Sequence, residues 1–580
     1  MKSRIWTGLL VLALALAIAP AAMAQLNLDP GQLPKSTMFY VAWHGALAGE
    51  VRKSNSLLAL WDDSDFAPVR AAMLDEMLRG SAESKTAPVP LSKEDLAEYV
   101  SLLDNEFVAG YISDPNPKKM GDAAGDSHGT KWNGGFLVYD RTGKEAILAK
   151  LLLRARMSEK DVSKISTATL AGISAIKMER TSGTSYWAED GKYAFSASEP
   201  AVFEQIAAWA RRRTPVASGL SQTAAYREAT DIFKGGAVEV YFHFPGIREL
   251  TSDTSAGGFR IRPLLQSLKL EAVHSIVGSV SLEGARTRFQ GAVLGEASPG
   301  TLFDIWDEGS ATPETWKFVN ANTVSYYESR VNLLGIYALI KRALQSTSGA
   351  GQQGPLDFVE TAAAARLGMP LPEALALFSG EFATLQTSAA LDPAKQVYFF
   401  GIRKKPETLK LLRAALADRV TAERSEGDTT FFKVSEGGLE GSTGTASWKY
   451  YHLGVTNDVI AISRRSESVR EAVATRRATP GNNLTGPQAL QSVRPKYPAN
   501  INGLSFMDFQ KIDWTAAKER WNAESRRASA TAGTNQKVQQ RAFADKLKDL
   551  DPQVLARHLH FTAGASWKDA QGLHFDGWIE

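Results

Sequence analysis

Cysteine is absent from all 580 residues of this chain, and its absence removes several classes of protein from consideration. Disulfide bonds, thiolate metal sites, iron–sulfur clusters and cysteine nucleophiles all require a thiol. A lipoprotein anchor is also excluded, because its lipid is attached to a cysteine that follows the apolar leader. The folded chain must therefore be stabilised by packing and hydrogen bonding alone.

An excess of charge of one sign is lacking as well. The chain has 66 lysine and arginine residues against 63 aspartate and glutamate residues, which gives a formal net charge of +3. A basic field that would attract nucleic acid or an anionic membrane surface is therefore not expected. We predict that nucleic acid is not a partner of this protein.

The motifs of the common catalytic sites are missing too. The sequence contains no P-loop, no GxGxxG segment after a strand, no GxSxG elbow and no HExxH pair. We therefore predict no catalytic residues and no cofactor. Carboxylate pairs of the kind that cleave glycosidic bonds remain open, because their separation in sequence is not fixed.

One apolar stretch stands out, at the start of the chain. Lys2 and Arg4 precede it, and Ala22 and Ala24 follow it as a small-x-small cleavage signal. This arrangement predicts a removable signal peptide over residues 1–24. An uncleaved anchor is the alternative, but the stretch is shorter than the roughly 20 residues that a membrane-spanning helix needs. We therefore expect a periplasmic or extracellular protein without a transmembrane anchor.

The second half of the sequence repeats the pattern of the first. The segment "GTSYWAEDGKYAFSASEPAVFEQIAAWARRR" ends at Arg213, and "GTASWKYYHLGVTNDVIAISRRSESVREAVATRR" ends at Arg477. Each predicts a β-hairpin followed by an amphipathic helix. The turns of the hairpins are expected at "EDG" and "TND", which are typical turn residues. Recurrence of several such elements in the same order is unlike a chance similarity.

A tandem duplication explains this recurrence. The last hairpins of the two halves align without a gap and place Phe289 on Phe575, and the first strands lie at the same separation of 286 residues. We predict an α+β fold in which each copy is a mostly antiparallel sheet with helices on one face. Unit one is placed at residues 30–300 and unit two at residues 313–580, in keeping with the length limit of a single core.

Three segments of the first unit suggest a family. The stretches "LPKSTMFYVAWHG", "NSLLALWDDSDFAPVR" and "WNGGFLVYDRTGKE" resemble uncharacterised secreted bacterial proteins that carry a duplicated α+β domain of unknown function. The resemblance covers most of the chain after the signal peptide. It implies no activity and no catalytic residues.

Trp43 and His44 are the candidate ligand-binding residues. They lie in "AWHGALAGE", just after an apolar strand, and the corresponding segment "YESRVNL" of the second unit has neither residue. A difference between two copies is where a specialised site can arise. It is equally where random change is tolerated, so both interpretations remain open.

No metal site is predicted. Asp122, Asp126 and His128 lie close together in a glycine-rich loop, but the closing glutamate of a calcium loop is missing. His558 and His560 form the one close histidine pair, without a carboxylate pattern beside it. The acids of "WDDSDF" are expected to cap the helix that follows.

We therefore expect an exported, non-catalytic binding or structural protein, with a peptide, an envelope component or a small ligand in a cleft between its units. One alternative is a carboxylate-dependent hydrolase that acts on a cell-envelope polymer. Another is an interaction protein in envelope assembly. A buried carboxylate pair with shifted pKa values in a cleft would favour the hydrolase, and a large exposed apolar patch would favour the interaction protein.

Overall fold

A computed structural model describes most of the chain after its first residues. The described residues are 28–45, 49–73, 98, 101–113, 134–157, 162–180, 183–211, 219–244, 255–256, 259–260, 269–306, 313–347, 355–435, 450–478, 497–531 and 550–580. The predicted signal peptide with Ala22 and Ala24, and the loop with Asp122, Asp126 and His128, lie outside them. Within these ranges, no helix has both the length and the apolar character needed to cross a membrane.

The first half of the described chain alternates strands with short helices. The strands of its large sheet are β1 (Thr37–His44), β2 (Glu106–Ile112), β3 (Gly135–Asp140), β4 (Val162–Leu170), β5 (Ile173–Arg180), β6 (Gly183–Asp190), β7 (Tyr193–Ala197), β8 (Val238–His243), β9 (Val273–Glu283) and β10 (Arg286–Gly295). Two short strands, Ser255–Ala256 and Phe259–Arg260, pair with each other in a separate sheet. Its helices are α1 (Gly49–Ser54), α2 (Ser56–Asp62), α3 (Glu145–Met157), α4 (Pro200–Arg211) and α5 (Ala224–Phe233).

The second half contains the remaining elements. Its strands are β11 (Ser325–Arg330), β12 (Phe378–Gln386), β13 (Val397–Ile402), β14 (Val420–Glu426), β15 (Thr429–Ser435), β16 (Tyr450–Val455), β17 (Val459–Ser463), β18 (Gly503–Asp508), β19 (Phe561–Asp569) and β20 (Gly572–Ile579). Its helices are α6 (Leu333–Thr347), α7 (Pro355–Leu367), α8 (Leu371–Ala376), α9 (Lys405–Leu416), α10 (Ser466–Ala478), α11 (Trp514–Thr531) and α12 (Gln553–His558). The α+β class is confirmed.

Strand order is the same in the two halves. In the first half it is β4-β5-β6-β7-β3-β2-β1-β8-β9-β10, with every pair antiparallel. In the second half it is β14-β15-β16-β17-β13-β12-β11-β18-β19-β20, again antiparallel throughout. The predicted hairpins β6–β7 and β16–β17 are confirmed, and Gly191 has the left-handed φ of +57° that the first turn requires.

The two halves join strand to strand. β10 pairs with β20 antiparallel, so that Gln290 lies opposite Asp576, Phe289 opposite Gly577 and Gly291 opposite Phe575. Residues 286 positions apart thus exchange places across this pair, as they do in a two-fold symmetric dimer interface. A single antiparallel sheet therefore continues from β4 to β14, so the described parts of the two units meet here through paired strands.

Helices lie on both faces of the sheet, whereas one covered face was expected. Phe195 of β7 packs under α4, in the same core as Val202 and Phe203. The neighbouring Ala194 packs on the other face, against Leu148 of α3. Adjacent strand residues point to opposite faces, so α3 and α4 must lie on opposite sides. An amphipathic stripe predicts that a helix packs on a sheet, but it does not specify which face.

Candidate functional site

The predicted pair Trp43 and His44 is divided by the sheet. Trp43 is 3% exposed, and its indole nitrogen donates a hydrogen bond of 2.7 Å to the Leu103 carbonyl oxygen. His44 lies on the opposite face, where its Nε2 is 3.4 Å from Oε1 of Glu239. Because neighbouring strand residues point in opposite directions, these two side chains are not brought together in one site.

A buried polar cluster surrounds Tyr40 beside this histidine. The Tyr40 hydroxyl lies 3.3 Å from Oε2 of Glu239 and 3.3 Å from the Tyr226 hydroxyl, with Tyr40 completely buried. Burial raises the pKa of Tyr40 well above its usual value, and the nearby Tyr226 and Glu239 act in the same direction. The phenol therefore remains protonated and serves as a hydrogen-bond donor.

The second half contains a related cluster around Tyr326. Glu328 is completely buried, and its Oε2 accepts hydrogen bonds from the Trp316 indole nitrogen and, at 3.2 Å, from the Tyr326 hydroxyl. Burial, followed by the charge of Glu381, raises the pKa of Glu328 to about 8. The carboxyl group therefore holds its proton at neutral pH.

Glu381 completes the pair of carboxyl groups. Its Oε1 accepts hydrogen bonds from the Thr315 amide at 2.7 Å and from the Thr315 hydroxyl at 2.6 Å. Glu106 has the same role in the first half, where Oε1 accepts a 2.6 Å bond from the Leu28 amide. Each glutamate thus ties the segment before the first strand of its half to the second strand. All of these carboxyl groups are less than 9% exposed, so a polymer substrate cannot reach them in this conformation.

The other face of the sheet has a different character. Neighbouring strands bring side chains of that face into two rows, which together we call the uncharged face. One row is Leu137, Ala109, Val41, Val240, Gly278, Gly291, Phe575, Ser566, Gly503, Ser329, Phe382 and Phe400. The other is Tyr139, Phe107, Trp43, Val238, Val280, Phe289, Gly577, Gly564, Ser505, Tyr327, Thr384 and Tyr398. Neither row contains a charged residue.

Large aromatic side chains of the uncharged face are open to solvent in the second half. Tyr327 is 48% exposed, Phe575 45%, Tyr398 38% and Phe400 37%. Single exposed apolar residues are normal, but several on one continuous face mark a surface that is covered by a ligand or a partner. The uncharged face is therefore the candidate functional site.

Glycine leaves the centre of this face open. Gly278 pairs with Gly291, and Gly564 pairs with Gly577, on the strands that meet where the halves join. A Cβ atom at Gly577 would meet nothing closer than the Ala563 carbonyl oxygen at 3.6 Å, which is ordinary contact. Packing inside the fold does not require this glycine. Its effect is that no side chain projects from the sheet at this position, which leaves room for a ligand.

Sequence reasoning missed this face, although a signal was present. A strand with one face in water usually alternates apolar with polar residues, among them charged ones. In β1, "TMFYVAWH", both alternating sets are free of acids and lysines, and the outward set of "GLHFDGWI" in β20 is neutral. Recognising the surface also required the strand pairings, which place such sets side by side.

Metal binding finds no support in the described residues, where no group of three histidine, aspartate or glutamate side chains is placed to hold an ion. His558 instead bonds Asp63 at 2.7 Å, and the same aspartate accepts a bond from the Asp65 amide. Asp63 therefore caps a short turn, as expected of the "WDDSDF" acids, and also links the first half to helix α12. His560 lies 3.8 Å from Glu580.

No protein-family model matches the chain, and none of the curated proteins or solved structures matches it either.

Proposed function

We propose that the protein is an exported, non-catalytic binding protein that holds its ligand on the uncharged face. The observation that carries this proposal is the exposure of four aromatic side chains, Tyr327, Tyr398, Phe400 and Phe575, in two neighbouring rows that contain no charged residue. A ligand that covers them removes apolar surface from water, which is favourable by roughly 25 cal/mol per Å². Export is supported by the leader-like composition of residues 1–24.

A tandem duplication is the proposed origin of the fold. Its support is the identical strand order of the two halves and the hydrogen bonds that link Leu28 to Glu106 and Glu314 to Glu381 in equivalent places. The exchange of equivalent residues across β10 and β20 has the form of a symmetric dimer contact. We infer that two copies which once met through this strand became joined in one chain.

The binding proposal is tested with N-phenyl-1-naphthylamine, an uncharged probe whose fluorescence rises in apolar surroundings. We expect saturable binding to the chain lacking residues 1–24, and at least tenfold weaker binding to Gly577→Val. The new side chain stands on the uncharged face between Phe289 and Gly564, and valine suits a strand, so folding should be preserved. Circular dichroism checks the fold of the variant.

Ala422→Val is the matched control for this experiment. Ala422 is exposed on β14, at the end of the sheet, where an added side chain cannot touch the central strands. Its binding should equal that of the parent chain. If neither protein binds the probe in a saturable way, or if Gly577→Val binds as well as the parent, the uncharged face is not the binding site.

A carboxylate-dependent hydrolase is the second candidate, because Glu328 holds a raised pKa of about 8 beside Glu381. One protonated and one ionised carboxyl group are what glycoside cleavage requires. The complete burial of Glu328 opposes this function. We expect no release of reducing ends from purified envelope polysaccharide; release that is lost in both Glu328→Gln and Glu381→Gln would establish the hydrolase instead.

A further inference from the structure

The two halves of the uncharged face differ in polarity. In the first half, every member of the two rows is apolar or glycine except Tyr139, whose hydroxyl is bonded to the Leu102 carbonyl oxygen. In the second half, hydroxyl groups stand among the aromatic rings, at Ser566, Ser329, Ser505, Tyr327, Thr384 and Tyr398. One continuous surface therefore changes from apolar to hydroxyl-rich as it crosses the junction.

The accessible apolar part lies on β8 to β10. Within it Val238 of β8 and Val280 of β9 are buried, as is the neighbouring Trp43, whose indole nitrogen bonds the Leu103 carbonyl oxygen. Val240 and Gly278 remain partly exposed, and Ile276 beside them is 37% exposed. This part of the face offers contact to a hydrocarbon chain and contains no polar side chain that such a chain would desolvate without a bond.

The hydroxyl-rich part lies on β11, β12 and β13. Within the described part of the chain, the hydroxyls of Tyr327, Ser329 and Thr384 have no protein hydrogen-bond partner, so they are available to a ligand. The rings of Tyr398 and Phe400 project from the same face. Hydroxyl groups together with exposed rings suit a neutral, hydroxyl-bearing group, which can both stack and hydrogen-bond.

The absence of charge from both rows selects against an ionic ligand. An ionic group over the two rows would lose hydration without gaining an ion pair there. Lys568 borders the rows, but its ammonium group already bonds the Trp306 carbonyl oxygen at 2.7 Å. The core of a protein interface is also aromatic and poor in charge, so competition by an envelope protein is one outcome of the test. The chemistry of the face is therefore complementary to a molecule with an apolar chain and an uncharged polar end.

We propose that the uncharged face binds an uncharged amphiphile of the glycolipid type. Its hydrocarbon part lies over β8 to β10 and its neutral, hydroxyl-bearing part over β11 to β13, with the Gly291–Phe575 pair beneath the boundary. This inference deepens the proposed binding function and rests on it.

The test measures how alkyl maltosides displace N-phenyl-1-naphthylamine from the full chain lacking residues 1–24, below their critical micelle concentrations. Decyl maltoside should bind about tenfold more tightly than octyl maltoside, because each added methylene contributes roughly a three- to fourfold gain. It should also bind at least tenfold more tightly than decyl sulfate or decyltrimethylammonium, which have the same chain. Free maltose should not displace the probe at these concentrations.

A pair of substitutions and one single substitution locate the two ends of the ligand. Ser329→Ala with Thr384→Val should weaken decyl maltoside about tenfold while leaving the probe unaffected, because only hydroxyl groups are lost. Val240→Ser should weaken decyl maltoside and the probe together. Thr169→Val on the outer strand β4, where Thr169 is exposed, is the matched control and should change neither affinity.

Failure of this inference differs from failure of the binding proposal. If the probe binds and Gly577→Val abolishes its binding, but decyl maltoside binds no better than the two charged decyl compounds, the ligand is not a neutral amphiphile. The same holds if the hydroxyl-removing pair has no effect, or if only a protein from the envelope fraction competes with the probe. If no probe binds at all, the binding function itself is wrong.

Discussion

Each half of the sheet places a buried glutamate beside an equivalent tyrosine, but the glutamate comes from a different strand in each half. In the first half, Glu239 of β8 lies next to Ala42 of β1 and reaches Tyr40. In the second half, Glu328 of β11 lies next to Leu504 of β18 and reaches Tyr326. In the first half the glutamate is on the later strand of the pair and the small residue, Ala42, on the first strand. In the second half the glutamate is on the first strand and the apolar residue, Leu504, on the later one.

This exchange shows what the fold requires at that place. Paired residues of adjacent strands have their Cβ atoms about 5 Å apart, so either strand can supply a carboxyl group to one buried hydroxyl. Each tyrosine hydroxyl also bonds a second group, Tyr226 at 3.3 Å or Thr315 at 2.7 Å, so the glutamate extends a buried hydrogen-bonded network. The polar clusters are therefore better explained as structural than as catalytic.

The largest change in the free energy of unfolding is expected where equivalent positions of the two halves hold side chains of very different size. Trp578 and Ala292 lie 286 residues apart, and each is at most 2% exposed. Trp578→Ala should lower the free energy of unfolding by about 3–5 kcal/mol, because it leaves a large cavity in the core. Ala292→Gly, which removes only a methyl group from a strand, should cost about 1 kcal/mol. Urea unfolding measures both, and equal losses would show that the second core is no better packed at this position.

A smaller effect is expected at the junction. Arg288 forms two hydrogen bonds to Asp576 across β10 and β20, at 3.0 and 2.7 Å, and Asp576 is 4% exposed. Arg288→Met should lower the free energy of unfolding by about 2–3 kcal/mol; we take less than the value for a fully buried pair because the arginine is partly exposed.

The equivalent residue His574 provides the comparison. It stacks on Trp567 with ring centres 5.4 Å apart and bonds the exposed Asp569. His574→Gln should cost less than about 1 kcal/mol, as is usual for exposed pairs. Urea unfolding measures the loss of stability in both variants. A loss in His574→Gln as large as that in Arg288→Met would show that the Arg288–Asp576 pair does not specially stabilise the junction.

A separate prediction concerns the pH dependence of the free energy of unfolding, through Glu328. Its pKa is raised from 4.5 to about 8 in the folded chain, so between these pH values the folded state keeps a proton that the unfolded state releases. Stability therefore falls as the pH rises through this window, by at most about 1.4 kcal/mol per pH unit. Glu328→Gln should remove this dependence and leave stability near pH 4.5 almost unchanged. Thermal unfolding followed from pH 4.5 to 8 would contradict the assignment if parent and variant gave parallel curves.

Local patterns predicted much of the fold. The hairpin β6–β7, its turn at Gly191 and the helix α4 that follows were expected from alternation, turn residues and helical spacing, which act over a few residues. Local patterns did not predict that α3 and α4 lie on opposite faces of the sheet. Both helices have an apolar stripe, and only the path of the chain decides on which face each helix packs. Trp43 was expected at a ligand site, but it is buried and its indole nitrogen bonds the carbonyl oxygen of Leu103, a contact with a distant segment.

The sequence by itself determined the absence of thiol chemistry, the near balance of charge, the class of the fold and the recurrence of elements in two halves, because composition and short-range periodicity suffice for these. Tertiary structure alone decided that β10 meets β20, that Glu239 and Glu328 occupy corresponding sites from different strands, and that neutral side chains of many strands form one surface. Each of these depends on which strands pair and in which register, and pairing joins residues hundreds of positions apart. A register shift of one residue would turn every such side chain to the opposite face.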